Sequence, residues 1–460
     1  MPNSLPGYAG QILRVNLTSG TVTTTPTSNY VPTYIGGRGI ATRIYWEDVP
    51  PNVGAFDPAN EVIFMTGPVQ GTPYTGGGRW VVVGKAPLAF PLEHISASKA
   101  GGYAAAELKF AGFDGIVVSG ASATPVYLWI HDGSCEILDA SGLWGLDTRQ
   151  TFSMLQQIHG TNAKAISIGQ AGEHWSRMAS IVSDTKPAFG KGGFGGVMGS
   201  KNLKAICISG TGSVEIANPT NFFALRQLAD QWAGYLRTPI TGYNSTVYPA
   251  KKVSNTGSLS ASISASYSPV SAPSGSVIGD MALSGNVTIH DGSCYGCNKN
   301  CRQTLSTLDG SLPGGATMCQ ESYFYDTYEY SYYGGKGRGP VAWMAHTLAN
   351  MLTLDAVDIN HPSGYAHKFE WMWTAMKSGV LTNANTGWTI TPSAAATITD
   401  YEGQTFIQGV NAPLLGANWG SQVMTNTWMN DTANRANFGA LRCEGSMKAA
   451  YMVAANVGAT

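Results

Sequence analysis

The sequence has few charged residues and no excess of either sign. Asp, Glu, Lys and Arg together make up 12% of its 460 residues, and the formal net charge is −1. Proteins that bind nucleic acids usually present a basic face to the phosphates. This composition therefore predicts no nucleic-acid partner.

Long apolar runs are also missing. No stretch reaches the roughly 18 apolar residues that a membrane-spanning helix needs. The first residues, MPNSLPGYAGQILRVNLTSG, lack the basic start and apolar core of a secretory signal peptide. We therefore expect a cytoplasmic protein without a membrane span.

Cysteine is scarce, with 7 in the chain, but three lie close together as Cys294, Cys297 and Cys301 in HDGSCYGCNKNCRQT. These short spacings would close strained disulfide rings, whereas clustered thiolates favour a soft metal. The candidate centres are a structural zinc ion and an iron–sulfur cluster, and each normally takes four protein ligands. Three thiols in one loop with a remote fourth ligand are more typical of a cluster, which also favours a reducing or anaerobic compartment.

Glycine is abundant, at 57 residues, and it separates short apolar or alternating runs. Up to about residue 212 these runs predict strands: QILRVNL, EVIFMTG, RWVVVG, GIVVSG, VYLWIH, AISIG and KAICISG. Two helices are predicted among them, in AGGYAAAELKFAGFDG and TFSMLQQIH. The chain is too long for one core. We predict an α+β protein with a β-rich domain at 1–212, a helical domain at 213–400 and the start of a third, helical domain at 401–460.

Two glycine-rich strings lie within the β-rich part. GTPYTGGGRW contains Arg79 and opens a strand, and GKGGFGG begins at Gly190. The second string contains G-x-G-x-x-G, but VMGSKNLKAICISG after it predicts a strand and not a helix, so the dinucleotide-binding context fails. Glycine loops let backbone N–H groups approach phosphates, and Lys191 and Lys201 flank the second loop. Each loop is either a tight turn or part of an anionic cofactor site.

The segment ATMCQESYFYDTYEYSYYGG follows the cysteine triplet and places Cys319 and Glu321 among aromatic residues. Burial among aromatic rings disfavours a charged carboxylate, which suits a proton donor or acceptor. The alternative is a half-exposed aromatic strand with solvated acids. Cys207, inside KAICISG, is predicted to be an inert core thiol.

Several segments resemble, in the same order along the chain, the tungsten-containing aldehyde:ferredoxin oxidoreductase family: YIGGRGIATRIYWEDVPP, MTGPVQGTPYTGGGRWVVVGKAPL, SKAGGYAAAELKFAGFDGIVVSG, GKGGFGGVMGSKNLKAI and the cysteine triplet. The resemblance implies a tungsten or molybdenum bis-pyranopterin in the N-terminal sheet domain, a 4Fe-4S cluster beside it, and two mainly helical domains. It implies that Cys294, Cys297 and Cys301 are cluster ligands. The pterin contacts that it implies, with Mg2+ allowed at the pterin phosphates, are Arg79, Lys99, Gly101, Ala188, Lys191 and Gly192.

Two later segments depart from the family pattern. Asp-x-x-Gly-Leu-Asp stands here as Asn350-Met-Leu-Thr-Leu-Asp355, and the resemblance implies that Asn350, Leu354 and Asp355 contact the pterin. MCQESYF is similar to the tungsten subunit of class II benzoyl-CoA reductase, whose lineage has a metal-ligating cysteine here. Cys319 is therefore a candidate tungsten ligand, and Glu321 is the candidate for proton transfer.

The resemblance implies an enzyme that moves two electrons between an aldehyde- or carboxylate-type small molecule and the metal. The electrons then pass singly through the cluster to ferredoxin or a partner iron–sulfur subunit, and we expect a homo- or hetero-oligomer. The alternatives are low-potential reduction of an aromatic or acyl-CoA thioester, and a non-catalytic electron-transfer or scaffold subunit. No second pterin motif or fourth cluster cysteine follows SMKAAYMVAANVGAT, and Cys443 precedes it. We therefore expect the sequence to stop before the family pattern is complete.

Overall fold

The computed structural model describes most of the first half of the chain and short pieces of the rest. The described residues are 5–74, 77–184 and 187–235, with the pieces 287–292, 294–297, 302–307, 315–317, 349, 351–354, 397–399, 405–407, 429–436, 440, 443–445, 448 and 452. The residues up to 235 form one compact unit with 291–292, 294–297, 302 and 351–354, and the remaining pieces belong to a second unit.

A six-stranded mixed sheet opens the first unit. Its strands are β1 (Gln11–Asn16), β2 (Thr21–Pro26), β3 (Val62–Met65), β4 (Trp80–Ala86), β5 (His94–Ala100) and β6 (Gly115–Ser119). Their spatial order is β2-β1-β6-β3-β4-β5, with β1 and β6 parallel and every other neighbouring pair antiparallel. Leu13 and Val15 enter one apolar cluster and Ile12 enters another, because successive side chains of a strand point to opposite faces.

A second mixed sheet of six strands follows. It consists of β7 (Val126–His131), β8 (Ser134–Asp139), β9 (Lys164–Ser167), β10 (Ile181–Ser183), β11 (Ala188–Phe189) and β12 (Leu203–Ser209), in the order β11-β10-β9-β12-β7-β8. β7 and β12 are parallel, and the other pairs are antiparallel. The prediction of a sheet-rich N-terminal part is confirmed.

Helices fill the space between the sheets and cover their outer faces. The helices are α1 (Arg38–Asp48), α2 (Ala104–Phe110), α3 (Thr148–His159), α4 (Gln170–Glu173), α5 (Phe194–Ser200) and α6 (Pro219–Tyr235). The largest apolar cluster combines inner-face residues of both sheets with residues of α2 and α5. α1 covers the outer face of the first sheet, and α3 covers that of the second. Central strands such as β3, β6 and β12 are thus buried on both faces, which explains their nearly continuous apolar sequences.

Two buried ion pairs fasten loops to this core. Lys109 on α2 lies 2.5 Å from a carboxylate oxygen of Asp114, and Lys204 on β12 lies 2.5 Å from Glu173. Asp114 also accepts the backbone N–H groups of Ala9 and Gly10. Buried charges are tolerated only when paired and hydrogen-bonded. The first pair therefore holds the N-terminal segment against α2.

The sequence predictions located seven of the twelve strands and two of the six helices described up to residue 235. The seven predicted strands correspond to β1, β3, β4, β6, β7, β9 and β12, and both predicted helices are present as α2 and α3. α3 begins with a capping box in which Asp147 accepts the N–H groups of Arg149 and Gln150. Cys207 is fully buried, as predicted, and burial raises the pKa of its thiol to about 12.

The prediction that no helix follows GKGGFGG is wrong, because α5 precedes β12. Glycine disfavours helices in isolation, but here it permits close backbone packing. A Cβ added to Gly199 would lie 1.8 Å from the carbonyl oxygen of Gly172, and one on Gly195 would lie 2.2 Å from that of Ser180. The dinucleotide-binding context still fails, because β11 and β12 are separated by β10 and β9 in the sheet and do not form a parallel βαβ unit.

The remaining described strands form two small sheets. β13 (Val287–Gly292), β14 (Arg302–Thr307) and β15 (Gly315–Thr317) make one, and β16 (Thr397–Thr399) pairs antiparallel with β17 (Thr405–Ile407) in the other. Within the described residues, no helix combines the length and apolar content that a membrane crossing requires. The mainly helical domains at 213–400 and 401–460 stay predictions.

Candidate functional site

The cysteine loop, of which the structure describes residues 294–297, lies against the first glycine loop, GTPYTGGGRW at 71–80. A Cβ built on Gly78 would lie 2.6 Å from the Cβ of Cys294 and 3.0 Å from the carbonyl oxygen of Tyr295. The N–H of Cys297 donates to the Cys294 carbonyl oxygen at 3.1 Å, so both cysteines belong to one tight turn. Gly296, at φ +66°, provides the left-handed residue of that turn. Contact between the two loops therefore requires the absence of a side chain at position 78.

The turn after β5, which contains Gly102 and Tyr103, also contacts the cysteine loop. The carbonyl oxygen of Gly102 accepts the N–H of Tyr295 at 3.1 Å. Asp184 accepts the N–H of Tyr103 at 3.0 Å and that of Ala165 at 3.1 Å, and burial raises the pKa of its carboxyl group. Gly102 has φ +107°, and a Cβ there would meet Asp184 at 2.9 Å. The predicted site residue Gly101 lies, buried, between β5 and this turn.

The second glycine loop packs beside β5. The N–H of Lys191 donates to the Ser98 hydroxyl at 3.1 Å, which places the loop next to the strand that carries Lys99. Gly192 is buried with φ +90°, and Ala188 is half-buried in β11. The Lys191 side chain is exposed. The Gly192 carbonyl oxygen accepts the N–H of Leu88, which follows β4, at 3.5 Å, so the second loop packs along both β5 and the end of β4.

Arg79 and Lys99 lie close to the paired strands β4 and β5. Arg79 directly precedes β4, and Lys99 on β5 pairs with Val81 on β4. Both are exposed. Neither Arg79 nor Lys99 takes part in an ion pair among the described residues. Gln70 fixes the backbone here, since its amide donates to the Arg79 carbonyl oxygen at 2.6 Å.

A segment far along the chain joins this unit through Thr353 and Leu354. Leu354 forms a β-bridge with Ala179 and is buried. The Thr353 hydroxyl accepts the N–H of Gly169 at 3.0 Å, and its carbonyl oxygen accepts the N–H of Ser180 at 2.8 Å. Leu354 therefore packs as a structural residue beside α5. Its predicted pterin contact stays a prediction.

Several predicted site residues lie outside the described residues: Cys301, Cys319, Glu321, Asn350 and Asp355. Within the described residues, no group of three His, Cys, Asp or Glu side chains is placed to hold a metal ion. Cys294 and Cys297 are half-buried and carry thiols. The structure therefore describes two of the four cysteines that were predicted as metal ligands.

Lys201 does not serve the second glycine loop, contrary to the sequence interpretation. It is 0% exposed, and its ammonium group donates to the carbonyl oxygens of Pro58 at 3.0 Å and Gly120 at 2.9 Å. Burial lowers its pKa to about 8, although attraction to Glu61 acts in the opposite direction. Lys201 is thus a structural residue of the core, and Lys191 is the cation that flanks the loop.

The carboxyl group of Glu61 makes the stability of the first unit depend on pH. Burial and, to a smaller extent, Asp48 raise its pKa from 4.5 to about 7, while Arg14 and Lys201 oppose the shift. The folded state then binds more protons than the unfolded state between pH 4.5 and 7, so the free energy of unfolding falls as the pH rises through this window. A shift of this size corresponds to about 3 kcal/mol.

We expect the substitution Glu61→Gln to remove most of that fall, measured by urea denaturation from pH 4.5 to 7. Glu47→Gln, at an exposed position on α1, is the control and should leave the pH profile unchanged. An equally steep decline in Glu61→Gln would contradict this assignment.

The residues present fit the two cofactors that the sequence predicts. Iron–sulfur clusters bind cysteine thiolates, and the turn at 294–297 presents the thiols of Cys294 and Cys297. Phosphate-bearing groups bind to glycine loops and exposed cations, and Arg79, Lys99 and Lys191 supply the cations around two such loops. The sequence reading missed Gly78, the closest contact between the glycine and cysteine loops. It also missed Tyr295, although an aromatic residue between two cysteines was a visible signal.

Comparisons with known proteins find relatives of the first half of the chain. Residues 12–210 match the family described as "Aldehyde ferredoxin oxidoreductase, N-terminal domain". A segment of 218 residues is 43% identical to a "Tungsten-containing aldehyde ferredoxin oxidoreductase" of Pyrococcus abyssi, covering 47% of this chain and 35% of that protein. A segment of 222 residues is 35% identical to an "Aliphatic sulfonate oxidoreductase, WOR-like subunit" of Pyrococcus furiosus, covering 45% and 35% respectively. The matched part thus spans about a third of the length of these relatives.

A solved structure shares the fold over most of the chain. It is described as "Active site complex BamBC of Benzoyl Coenzyme A reductase in complex with 1,5 Dienoyl-CoA". The TM-score is 0.73 at 23% sequence identity, and the match covers 98% of this chain and 64% of that one. At this level of identity the likeness is one of fold alone.

Proposed function

We propose that the protein is a tungsten or molybdenum bis-pyranopterin oxidoreductase, because residues 12–210 match the aldehyde ferredoxin oxidoreductase N-terminal domain and the same part of the chain is similar to tungsten-containing enzymes. It couples two-electron chemistry on an aldehyde- or carboxylate-type substrate to one-electron transfer through a 4Fe-4S cluster. Ferredoxin or a partner iron–sulfur subunit receives the electrons. The relatives' names cover both aldehydes and sulfonates, so the substrate is proposed as a class.

The contact between the cysteine loop and the first glycine loop is the observation that supports this proposal best. Cys294 and Gly78 touch, and Arg79 directly follows Gly78. A cluster held by Cys294 and Cys297 would therefore lie next to a cofactor bound at Arg79. Electron transfer between two centres requires such proximity, and the fold provides it through residues more than 200 positions apart in sequence.

The roles of individual residues follow from their chemistry. Arg79, Lys99 and Lys191 would hold the pterin phosphates as charge-assisted donors, with Mg2+ as an additional counter-ion. The bound metal would supply the two-electron redox chemistry. Glu321 would move the proton, and Cys319 would be a soft ligand to the metal. The cluster would pass the electrons on.

Metal and pterin analysis of anaerobically purified protein tests the proposal. We expect tungsten or molybdenum together with pterin, and about four iron atoms per chain. Arg79→Ala should lower the pterin content, whereas Arg43→Ala, at an exposed position on α1, should not. The absence of both metals and of pterin would contradict the proposal. Iron without pterin would instead support an electron-transfer subunit, and zinc alone would support a structural site.

Reduction of an aromatic or acyl-CoA thioester is the second candidate function. Two observations favour it: the MCQESYF segment, and the fold shared with the benzoyl-CoA reductase complex. Dye-linked assays of aldehydes and of aromatic acyl-CoA esters, performed on one preparation, would separate the two reactions.

A further inference from the structure

Tyr295, between the two described cysteines, joins the cysteine loop to three other segments of the first unit. Its backbone N–H donates to the Gly102 carbonyl oxygen at 3.1 Å, and its hydroxyl donates to the Gly71 carbonyl oxygen at 3.5 Å. Its ring meets the rings of Phe110 and Tyr103 edge-on, with centroids 5.7 and 6.4 Å away. Edge-to-face contacts of this kind stabilise beyond the buried area. One side chain therefore joins the loop to α2, to the turn after β5 and to the first glycine loop.

This anchoring controls where the neighbouring thiol lies. Cys294 adjoins Tyr295 in sequence and is in contact with Gly78. The carbonyl oxygen of Tyr295 also faces Gly78, so the backbone of the cysteine loop follows the backbone of the glycine loop. If the ring of Tyr295 were removed, its contacts with the two aromatic rings and with Gly71 would be lost.

We propose that Tyr295 is a positioning residue for the metal centre, which rests on the proposed iron–sulfur function. It holds Cys294 against Gly78, so that the thiolates of Cys294 and Cys297 stay in one arrangement. Partners that orient metal ligands typically change metal affinity about 10–100-fold when they are removed. Solvent exposure also changes the reduction potential of a cluster.

Three variants of the full chain, purified anaerobically, test this role. Tyr295→Phe retains the ring, Tyr295→Leu retains bulk without aromatic contacts, and Tyr295→Ala removes both. Tyr30→Ala is the matched control: Tyr30 is also half-buried, packs on the core and accepts a 3.5 Å hydrogen bond from Arg14 at its hydroxyl, but it belongs to the α1 side of the first sheet. The readouts are the rate of iron loss to a chelator, the midpoint potential and the EPR spectrum of the reduced cluster.

We expect Tyr295→Ala to lose iron about 10-fold faster than wild type or more, with a changed EPR spectrum and a shifted midpoint potential. Tyr295→Phe and Tyr30→Ala should match wild type, and Tyr295→Leu should lie between. Wild-type iron retention, potential and spectrum in Tyr295→Ala would overturn the proposal. A defect in Tyr295→Phe as large as that in Tyr295→Ala would overturn the ring-packing role in the same way.

A second readout does not depend on the cluster. In metal-free protein, alkylation of Cys294 and Cys297 by iodoacetamide, followed by mass spectrometry, reports how firmly the loop is held. We expect faster alkylation of both in Tyr295→Ala, with unchanged alkylation of Cys135, a half-buried thiol on β8. Equal alkylation rates in wild type and Tyr295→Ala would overturn the proposal. Faster alkylation of Cys135 as well would show general unfolding and would also count against it. Wild-type protein without iron would contradict the proposed function separately, while the alkylation result would still decide the role of Tyr295.

Discussion

Replacement of Cys294 or Cys297 by serine is expected to remove most of the iron from the purified protein. A serine hydroxyl is a hard, largely protonated ligand and replaces a thiolate poorly at a soft iron–sulfur centre. Both cysteines belong to one turn in contact with Gly78, so either substitution removes a thiolate ligand from the same proposed centre. Iron per chain, the visible charge-transfer absorbance and the EPR spectrum of the reduced protein measure the effect. Wild type should hold about four iron atoms per chain, and each variant less than half of that.

Cys135→Ser is the matched control for these variants. Cys135 is half-buried, like the two loop cysteines, and lies on β8 in the same unit. Burial and the neighbouring Glu136 raise the pKa of its thiol to about 12, so it is a poor thiolate ligand. Its substitution should leave the iron content unchanged. Full iron retention in Cys294→Ser, or an equal loss in Cys135→Ser, would rule out the loop as the specific ligand set.

Replacement of Gly193 by alanine is expected to destabilise the first unit by about 3–5 kcal/mol. Gly193 has φ +78°, in the left-handed region that a residue with a Cβ adopts at a cost. An added Cβ would also lie 2.0 Å from the carbonyl oxygen of Arg177 and 2.9 Å from Pro87. The backbone would have to move, and the predicted loss is a large part of the stability of a typical domain. Urea denaturation of the metal-free protein measures the change.

Gly190→Ala provides the comparison within the same glycine loop. Gly190 has no left-handed φ, and apart from its chain neighbours no atom of the described residues lies within 4 Å of a Cβ built there. Alanine should be neutral or stabilise by about 0.4–1 kcal/mol, because it restricts the unfolded chain. If both variants behaved alike, the assigned conformation of the loop would be incorrect. A difference between them would show that the glycines of GKGGFGG serve separate purposes.

Local sequence patterns predicted seven of the twelve strands in the two large sheets because these strands carry their own signal. Apolar runs such as EVIFMTG and KAICISG mark strands buried on both faces, and this signal does not depend on the partner strand. α5 was not predicted, since its glycines disfavour a helix until Gly199 packs on Gly172. Lys201 was assigned to the wrong role for a similar reason. A lysine beside a glycine loop resembles an anion ligand in sequence, whereas its actual partners, the carbonyl oxygens of Pro58 and Gly120, are distant in the chain.

The amino-acid sequence by itself determined the chemistry available to this protein: clustered thiols, two glycine loops and cations beside them. These depend on residue type and short spacing, which a linear chain displays directly. The tertiary structure alone decided which of these groups meet. Cys294 touches Gly78, Tyr295 bonds to Gly102, and Leu354 pairs with Ala179. Such contacts depend on the packing of two sheets around α2 and α5, and no local pattern records that packing.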